Sequence, residues 1–181
     1  MKHIVLTIWV IALAAASHAQ VTQVKLQAGG LTCSMCSKAV WNALQKVPDV
    51  DKVSVDIKNQ QYLITFRDDN AVDFDALEKA VEGAGFSVAA FSVTADVHRL
   101  QLQKDKHLLI GRQYFHFLNA AGQDVDGIIH FTVVDKGYTS AKNFRKYSSL
   151  TTMTCAQTGR TAPCCVKDGL PEQTRVYHAI I

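Results

Sequence analysis

The chain has 181 residues, 48% of them hydrophobic and 19% charged, a balance that belongs to folded globular proteins and argues against disorder. Its net charge is only +3, unevenly divided: residues 20–95 carry 7 Lys+Arg against 9 Asp+Glu, and residues 96–181 carry 11 against 7. That asymmetry suits two domains and is far too weak to suggest a nucleic-acid partner.

The first residues have the form of an export leader. Met1-Lys2-His3 is a short basic start, residues 4–16 are apolar and uncharged, and Ser17-His18-Ala19 places small residues where a signal peptidase reads. Residues 1–19 are therefore predicted to be a signal peptide cleaved after Ala19. The apolar run falls short of the ~20 residues that span a bilayer. No comparable run follows, so the expected mature protein is periplasmic or secreted, with no membrane span.

Residues 20–95 read as one small domain. Residues 21–28 alternate, with Val24, Leu26 and Ala28 on one face, as in a half-buried strand. Residues 34–47 carry Val40, Ala43, Leu44 and Val47 at helical spacing, and Pro48 ends that helix. Two alternating runs follow (Val53, Val55, Ile57, then Tyr62, Ile64, Phe66), joined by the polar residues 58–61 as a hairpin. Asp73 is a fitting N-cap for a second helix bearing Phe74, Leu77, Val81 and Ala84. Gly83 and Gly85 close it, and Phe86, Val88 and Ala90 begin a fourth strand. The order β-α-β-β-α-β is the ferredoxin-like arrangement.

Between the first strand and the first helix lies Gly30-Leu31-Thr32-Cys33-Ser34-Met35-Cys36. Two cysteines at this spacing on a first helical turn can aim both sulfurs at one point. The unpaired N–H groups of a helix N-terminus favour thiolate over thiol. Such a pair suits a soft ion, Cu(I) above all. The spacing equally admits a disulfide, half of a zinc site, or the nucleophile and resolving thiol of an oxidoreductase.

This loop, the element order and the segment Val81-Glu82-Gly83-Ala84-Gly85-Phe86 together resemble the heavy-metal-associated (HMA) domain family of copper chaperones, copper-ATPase N-terminal domains and the periplasmic mercury-binding protein. The resemblance covers residues 21–93. It implies that Cys33 and Cys36 bind a soft ion as two ligands, and that Phe86 packs beneath the loop. Leu31 departs from the methionine usual in that family, a mild change because the two side chains fill similar volumes.

Residues 96–181 carry no family resemblance. They read as a small mostly-β domain of barrel or sandwich type, OB-like in its strand content. The runs 111–118 and 128–134 suggest strands, with a turn-rich stretch at 119–127 between them. A hairpin symmetric about Gln123 would set His116 directly across from His130, a possible metal pair. Residues 141–150 suit a short helix or an irregular basic segment. Cys155, Cys164 and Cys165 complete an odd count of five cysteines. Cys155 with either neighbour is expected to form a loop-clamping disulfide or a second thiol site, with His116 and His130 as further candidates; vicinal Cys164 and Cys165 pair with each other only under strain.

The expectation is an α+β protein, a ferredoxin-like βαββαβ domain followed by a small mostly-β domain. Its reading is an exported binder of soft metal ions, Cu(I) foremost with Hg(II), Zn(II) or another soft divalent ion as alternatives, acting in capture, transfer or detoxification by thiolate exchange with a partner such as a transporter. The alternative is an exported thiol–disulfide oxidoreductase. No catalytic triad, phosphate-cradling loop or paired-carboxylate pattern stands out, so the chain reads as a non-enzyme. Intact-mass measurement of exported protein is expected to show residues 1–19 removed; retention of Met1 would overturn the leader.

Overall fold

The computed structural model describes residues 19–67 and 72–181, so the expected leader at 1–18 lies outside the described residues. The first half takes the predicted order. Strand β1 (Gln20–Gly29) buries Val24, Leu26 and Ala28 against helix α1 (Ser34–Gln45), which contributes Val40 and Leu44. The hairpin β2 (Val50–Asp56) and β3 (Gln61–Phe66) follows, and the Trp41 indole donates to the Val53 carbonyl at 2.8 Å, tying α1 to β2. Helix α2 (Phe74–Gly83) is capped by the Asp73 carboxylate, which accepts from the Ala76 N–H at 3.0 Å. Its stripe of Phe74, Leu77 and Val81 is fully buried, as the 3.6-residue period predicts.

Strand β4 is longer than the sequence pattern suggested. It runs Ser87–Gln103, straight through the expected boundary at 95/96, with a bulge between Val97 and Leu100 where Arg99 takes a φ of 49°. One edge pairs antiparallel with β1. The other pairs with β7 (Ala121–Val133) from Phe91↔Val133 to Gln103↔Ala121. Beyond β7 lie β8 (Val176–Ile180), β6 (Gln113–Phe117) and β5 (His107–Ile110). All eight strands form one sheet in the order β2-β3-β1-β4-β7-β8-β6-β5.

Two expectations for the second half are corrected here. The sheet ends at β2 and β5 and does not close, so there is no OB-like barrel. The stretch 119–127 is no hairpin loop: from Ala121 onward it is strand, because the long free edge of β4 gives it a ladder that outweighs the local turn chemistry of Gly122 and Gly127. β8 then inserts between β6 and β7, parallel to the first and antiparallel to the second, so those two never pair. Helix α3 (Ala141–Ser148), capped by Ser140, answers the short helix expected at 141–150. A helical turn α4 (Cys155–Thr158) and a 3-10 helix at Pro163–Asp168 follow.

The hydrophobic core is continuous across both halves. Phe74 of α2 packs its ring against Phe91 of β4 at 5.0 Å, Tyr177 of β8 at 5.1 Å and Phe115 of β6 at 6.0 Å. Beside this cluster Arg175 joins the halves. Its guanidinium donates to both Asp75 oxygens at 3.0 Å, to Asp135 at 3.3 Å and to the Val176 carbonyl at 2.7 Å, and it stacks over the Tyr177 ring at 4.0 Å. Burial pushes the Asp75 carboxyl up, but Arg175 and Tyr138 outweigh it and hold it below its ordinary range. Removing the cation leaves the nearly buried Asp135 without this partner, and a broken buried pair typically costs several kcal/mol. Arg175→Met is therefore expected to lower unfolding stability by roughly 2–4 kcal/mol in urea at neutral pH, allowing for the partial exposure of Asp75. A loss under about 0.5 kcal/mol would show that the clamp is not structural.

Candidate metal centres

Cys33 is the N-cap of α1, with extended backbone at φ −148° and ψ 160°, and its Sγ accepts the Cys36 N–H at 3.2 Å. A sulfur thus stands where a capping oxygen usually does, facing the positive end of the helix dipole. The Cys36 thiol lies below its ordinary range, chiefly through its hydrogen bond with the Cys33 side chain, which outweighs the opposing effect of desolvation. Cys33 is exposed and Cys36 half-buried, so both remain reachable from solvent. Met35 between them is 71% exposed.

The loop is held from below. Leu31 packs against the core in the anchoring place expected of it. Gly30 takes a φ of +81°, and a Cβ there would meet the Phe86 ring at 4.0 Å, so Phe86 lies beneath the loop. The Tyr62 hydroxyl donates to the Ser37 carbonyl at 3.0 Å, fastening the first turn of α1 to β3. Beside Cys33 opens a groove of about 330 Å³ lined by Leu31, Val55, Ile57 and Tyr62.

The second set of predicted residues divides. His130, expected across from His116, sits on β7 with its Nδ1 3.0 Å from Thr94 Oγ1 of β4, and it is exposed. The pair fails because β8 occupies the place assumed for β7. His116 instead has His107 of β5 on one side and His178 of β8 on the other, each directly in register. These two histidines were missed. For His107 a signal existed: Gly111-Arg112 is a two-residue turn, and pairing Ile110 with Gln113 puts His107 opposite His116. Nothing local announces His178, which pairs in parallel with His116 from 62 positions away.

All three histidines are buried, and each leans on an aspartate. His107 Nδ1 lies 2.6 Å from Asp168, His116 Nε2 3.1 Å from Asp105, and His178 Nδ1 2.7 Å from Asp135. Burial, reinforced by His178 and His107, pushes His116 down to about 4 and keeps it neutral near pH 7. Cys155 joins this row, its Sγ 3.8 Å from His107 Nε2 and 3.7 Å from His116 Nδ1. Cys164 and Cys165 come to the same place with their sulfurs 3.6 Å apart. All five cysteines are free thiols, so the expected loop-clamping disulfide is not formed. Burial pushes the Cys155 thiol up; for half-buried Cys164 it does the same, but hydrogen bonds from Thr154 and the Cys155 backbone prevail and bring it to about 7.

With its βαββαβ half and its cysteine-capped helix, the chain belongs to the heavy-metal-associated domain family, whose match covers residues 25–87. Among its relatives is the mercuric transport protein periplasmic component of Serratia marcescens, 35% identical over 86 residues that make up 48% of this chain and 93% of that protein. The copper-transporting ATPase HMA4 of Oryza sativa subsp. japonica is 35% identical over 79 residues, 44% of this chain but only 8% of the ATPase. The crystal structure of oxidized MerP from Ralstonia metallidurans CH34 is 38% identical and covers 38% of this chain and 96% of its own, with a TM-score of 0.34. The oxidoreductase alternative gains no support from these matches.

The thiols are expected to differ in reactivity, since the thiolate is the nucleophile. With metal-free, reduced protein, iodoacetamide is expected to modify Cys36 and Cys164 first, and Cys155 only on unfolding. Because the lowered value of Cys164 means that thiolate is lost as pH falls through about 7, its labelling rate should be half-maximal there. Equal labelling of all five cysteines in folded protein would contradict the structure.

Proposed function

We propose that the protein captures a soft metal ion, Cu(I) foremost, on Cys33 and Cys36 outside the cytoplasm, and passes it to the thiolates of a partner such as a transporter. The observation that carries this reading is the capped loop: one sulfur is fixed at the helix N-terminus by the Cys36 N–H, and both remain open to solvent. Two thiolates on a soft ion leave room for a third. An incoming partner thiolate, its proton released to water, bonds to the ion before one of the two original metal–sulfur bonds breaks. A second exchange completes the hand-off, and the ion keeps its charge throughout. Val55 and Ile57 beside the groove, with Ile57 85% exposed, offer an apolar rim for a partner to cover.

The relatives support a metal-transport setting, since one is named a copper-transporting ATPase and another a periplasmic mercuric transport component. Among the described residues no helix is long and apolar enough to cross a membrane. Binding and transfer suffice for this role, and no catalytic step is assigned to the chain.

Competition titration with a Cu(I) chelator is expected to show tight uptake that falls by one ion per chain in Cys33→Ser/Cys36→Ser. A parallel titration with Hg(II) distinguishes the cargo, because the ion that displaces the other at equal chelator strength is the one the loop prefers. An unchanged number of bound ions in the double variant would overturn the reading.

A further inference from the structure

The sheet carries chemistry on the face that the metal-binding loop does not use. Along β6, His116 alternates with Phe115 and Phe117, and along β8, His178 alternates with Tyr177 and Ala179. Phe115 and Tyr177 pack on Phe74 of α2, so the histidines point to the opposite side. There the segment bearing α4 and the 3-10 helix lies over them, bringing down three cysteines. Cys155 and Cys165 are fully buried and pack with Met153, while Cys164 is half-buried and within 3.4 Å of Thr154 Oγ1.

The distances are those of a coordination shell. Around a d10 ion with bonds of about 2.3 Å to sulfur and 2.0–2.1 Å to nitrogen, tetrahedral N···S edges measure about 3.6 Å and S···S edges about 3.8 Å. The two histidine nitrogens stand 3.7 and 3.8 Å from Cys155 Sγ, and the Cys164 and Cys165 sulfurs are 3.6 Å apart. Disulfide sulfurs would be about 2.05 Å apart, so these are separate thiols. The donor atoms fall into two triads sharing Cys155: His107, His116 and Cys155, and Cys155, Cys164 and Cys165, with each triad lying within 4.8 Å of mutual separation.

The surroundings of the histidines point the same way. A metal-bound imidazole characteristically gives its other N–H to a carboxylate, which sets the tautomer and the ring angle. His107 does so through Nδ1 to Asp168 and His116 through Nε2 to Asp105, leaving in each ring the nitrogen that faces Cys155. Next to them His178 is 1% exposed, and its Nε2 is a buried nitrogen with no partner among the described residues. No carboxylate belongs to the donor triads themselves, so the set is wrong for hard ions such as Mg(II) or Ca(II).

We propose that His107, His116, Cys155, Cys164 and Cys165 form a second metal site, built for one thiophilic d10 ion, Zn(II) or Cu(I). Cys155, shared by both triads, is its central ligand, three of the other four donors complete the tetrahedral shell, and Cys164 is the donor nearest solvent through which the ion arrives. Each thiol releases its proton on binding the ion, and no oxidation is involved. The strands leading to the two sites, β1 and β6, lie four strand spacings apart, about 19 Å, so this ion is separate from the one on Cys33 and Cys36.

The test uses the full chain carrying Cys33→Ser/Cys36→Ser, reduced and oxygen-free, so that the first site contributes nothing. Zn(II) and Cu(I) are added in separate arms, excess is removed by desalting against a weak chelator, and metal per chain is measured by elemental analysis. One retained ion per chain is expected in at least one arm, and the arm that retains it identifies the ion. Adding Cys155→Ser is expected to abolish retention, and Asp105→Asn to weaken affinity 10- to 100-fold while leaving the unloaded protein folded by circular dichroism. Should Cys155→Ser fail to fold, Cys164→Ser at the half-buried position takes its place and is expected to weaken binding at least tenfold. Co(II) gives an independent readout, since its sulfur-to-metal absorption should fall with each cysteine removed. Failure to retain either ion, or equal retention in a folded Cys155→Ser or Cys164→Ser protein, would overturn the second site. The reading of Cys33 and Cys36 stands or falls separately, on the converse chain with Cys155→Ser/Cys164→Ser.

Discussion

The ladder of β4 is the constraint on which the rest of the molecule depends. In an isolated βαββαβ unit this strand would be an edge, with a row of N–H and C=O groups unpaired along its whole length, and exposed edges invite pairing with other chains. Here β7 takes that edge from Phe91 to the end of the strand at Gln103, and the sheet continues through β8, β6 and β5. The two halves therefore share hydrogen bonds and a core. Phe74, on a helix of the first half, is surrounded by rings from both, and Arg175 binds Asp75 across the same boundary. The ordering of β8, which brings His178 into register with His116, depends on this shared packing.

One sheet thus supports two kinds of thiol chemistry. At Cys33 and Cys36 the sulfurs lie at an open helix N-terminus, where the backbone favours thiolate and solvent gives a second molecule access. Around Cys155 the thiols are withdrawn from water, their neighbours are imidazoles held by aspartates, and only Cys164 has an outward side. Openness suits exchange of an ion between proteins. Enclosure by oriented ligands suits retention, because an ion leaving such a shell must break several bonds before water can replace them. Burial raises the cost of an uncompensated thiolate at Cys155, and a cation in the cluster removes that cost.

The first half was readable because each element there buries one face and keeps the other in water. Val24, Leu26 and Ala28 at period two, and Phe74, Leu77 and Val81 at helical spacing, are all buried as the pattern requires. Pro48, Asp73 and Gly85 mark ends that follow from backbone chemistry alone. In the second half the same reasoning misplaced the turn at 119–127, because glycine and aspartate there carry turn character that a long neighbouring strand overrode. His116 and Cys155 were recognised as candidates, His130 was wrongly joined to them, and His107 was overlooked although Gly111-Arg112 marks the turn that pairs it.

The βαββαβ order and the loop bearing Cys33 and Cys36 follow from regularly spaced residues and local backbone chemistry, whereas the packing of Phe86 beneath that loop was implied by the family resemblance. The sharing of β4, the entry of β8 between β6 and β7, and the meeting of His107, His116 and Cys155 emerge only from long-range packing. Those outcomes rest on contacts from 18 positions apart, as between Gln103 and Ala121, to 39 and 48 for Cys155 with His116 and His107, where no local period records which strand will lie beside which. A row of three histidines across three strands exists only once their register is set.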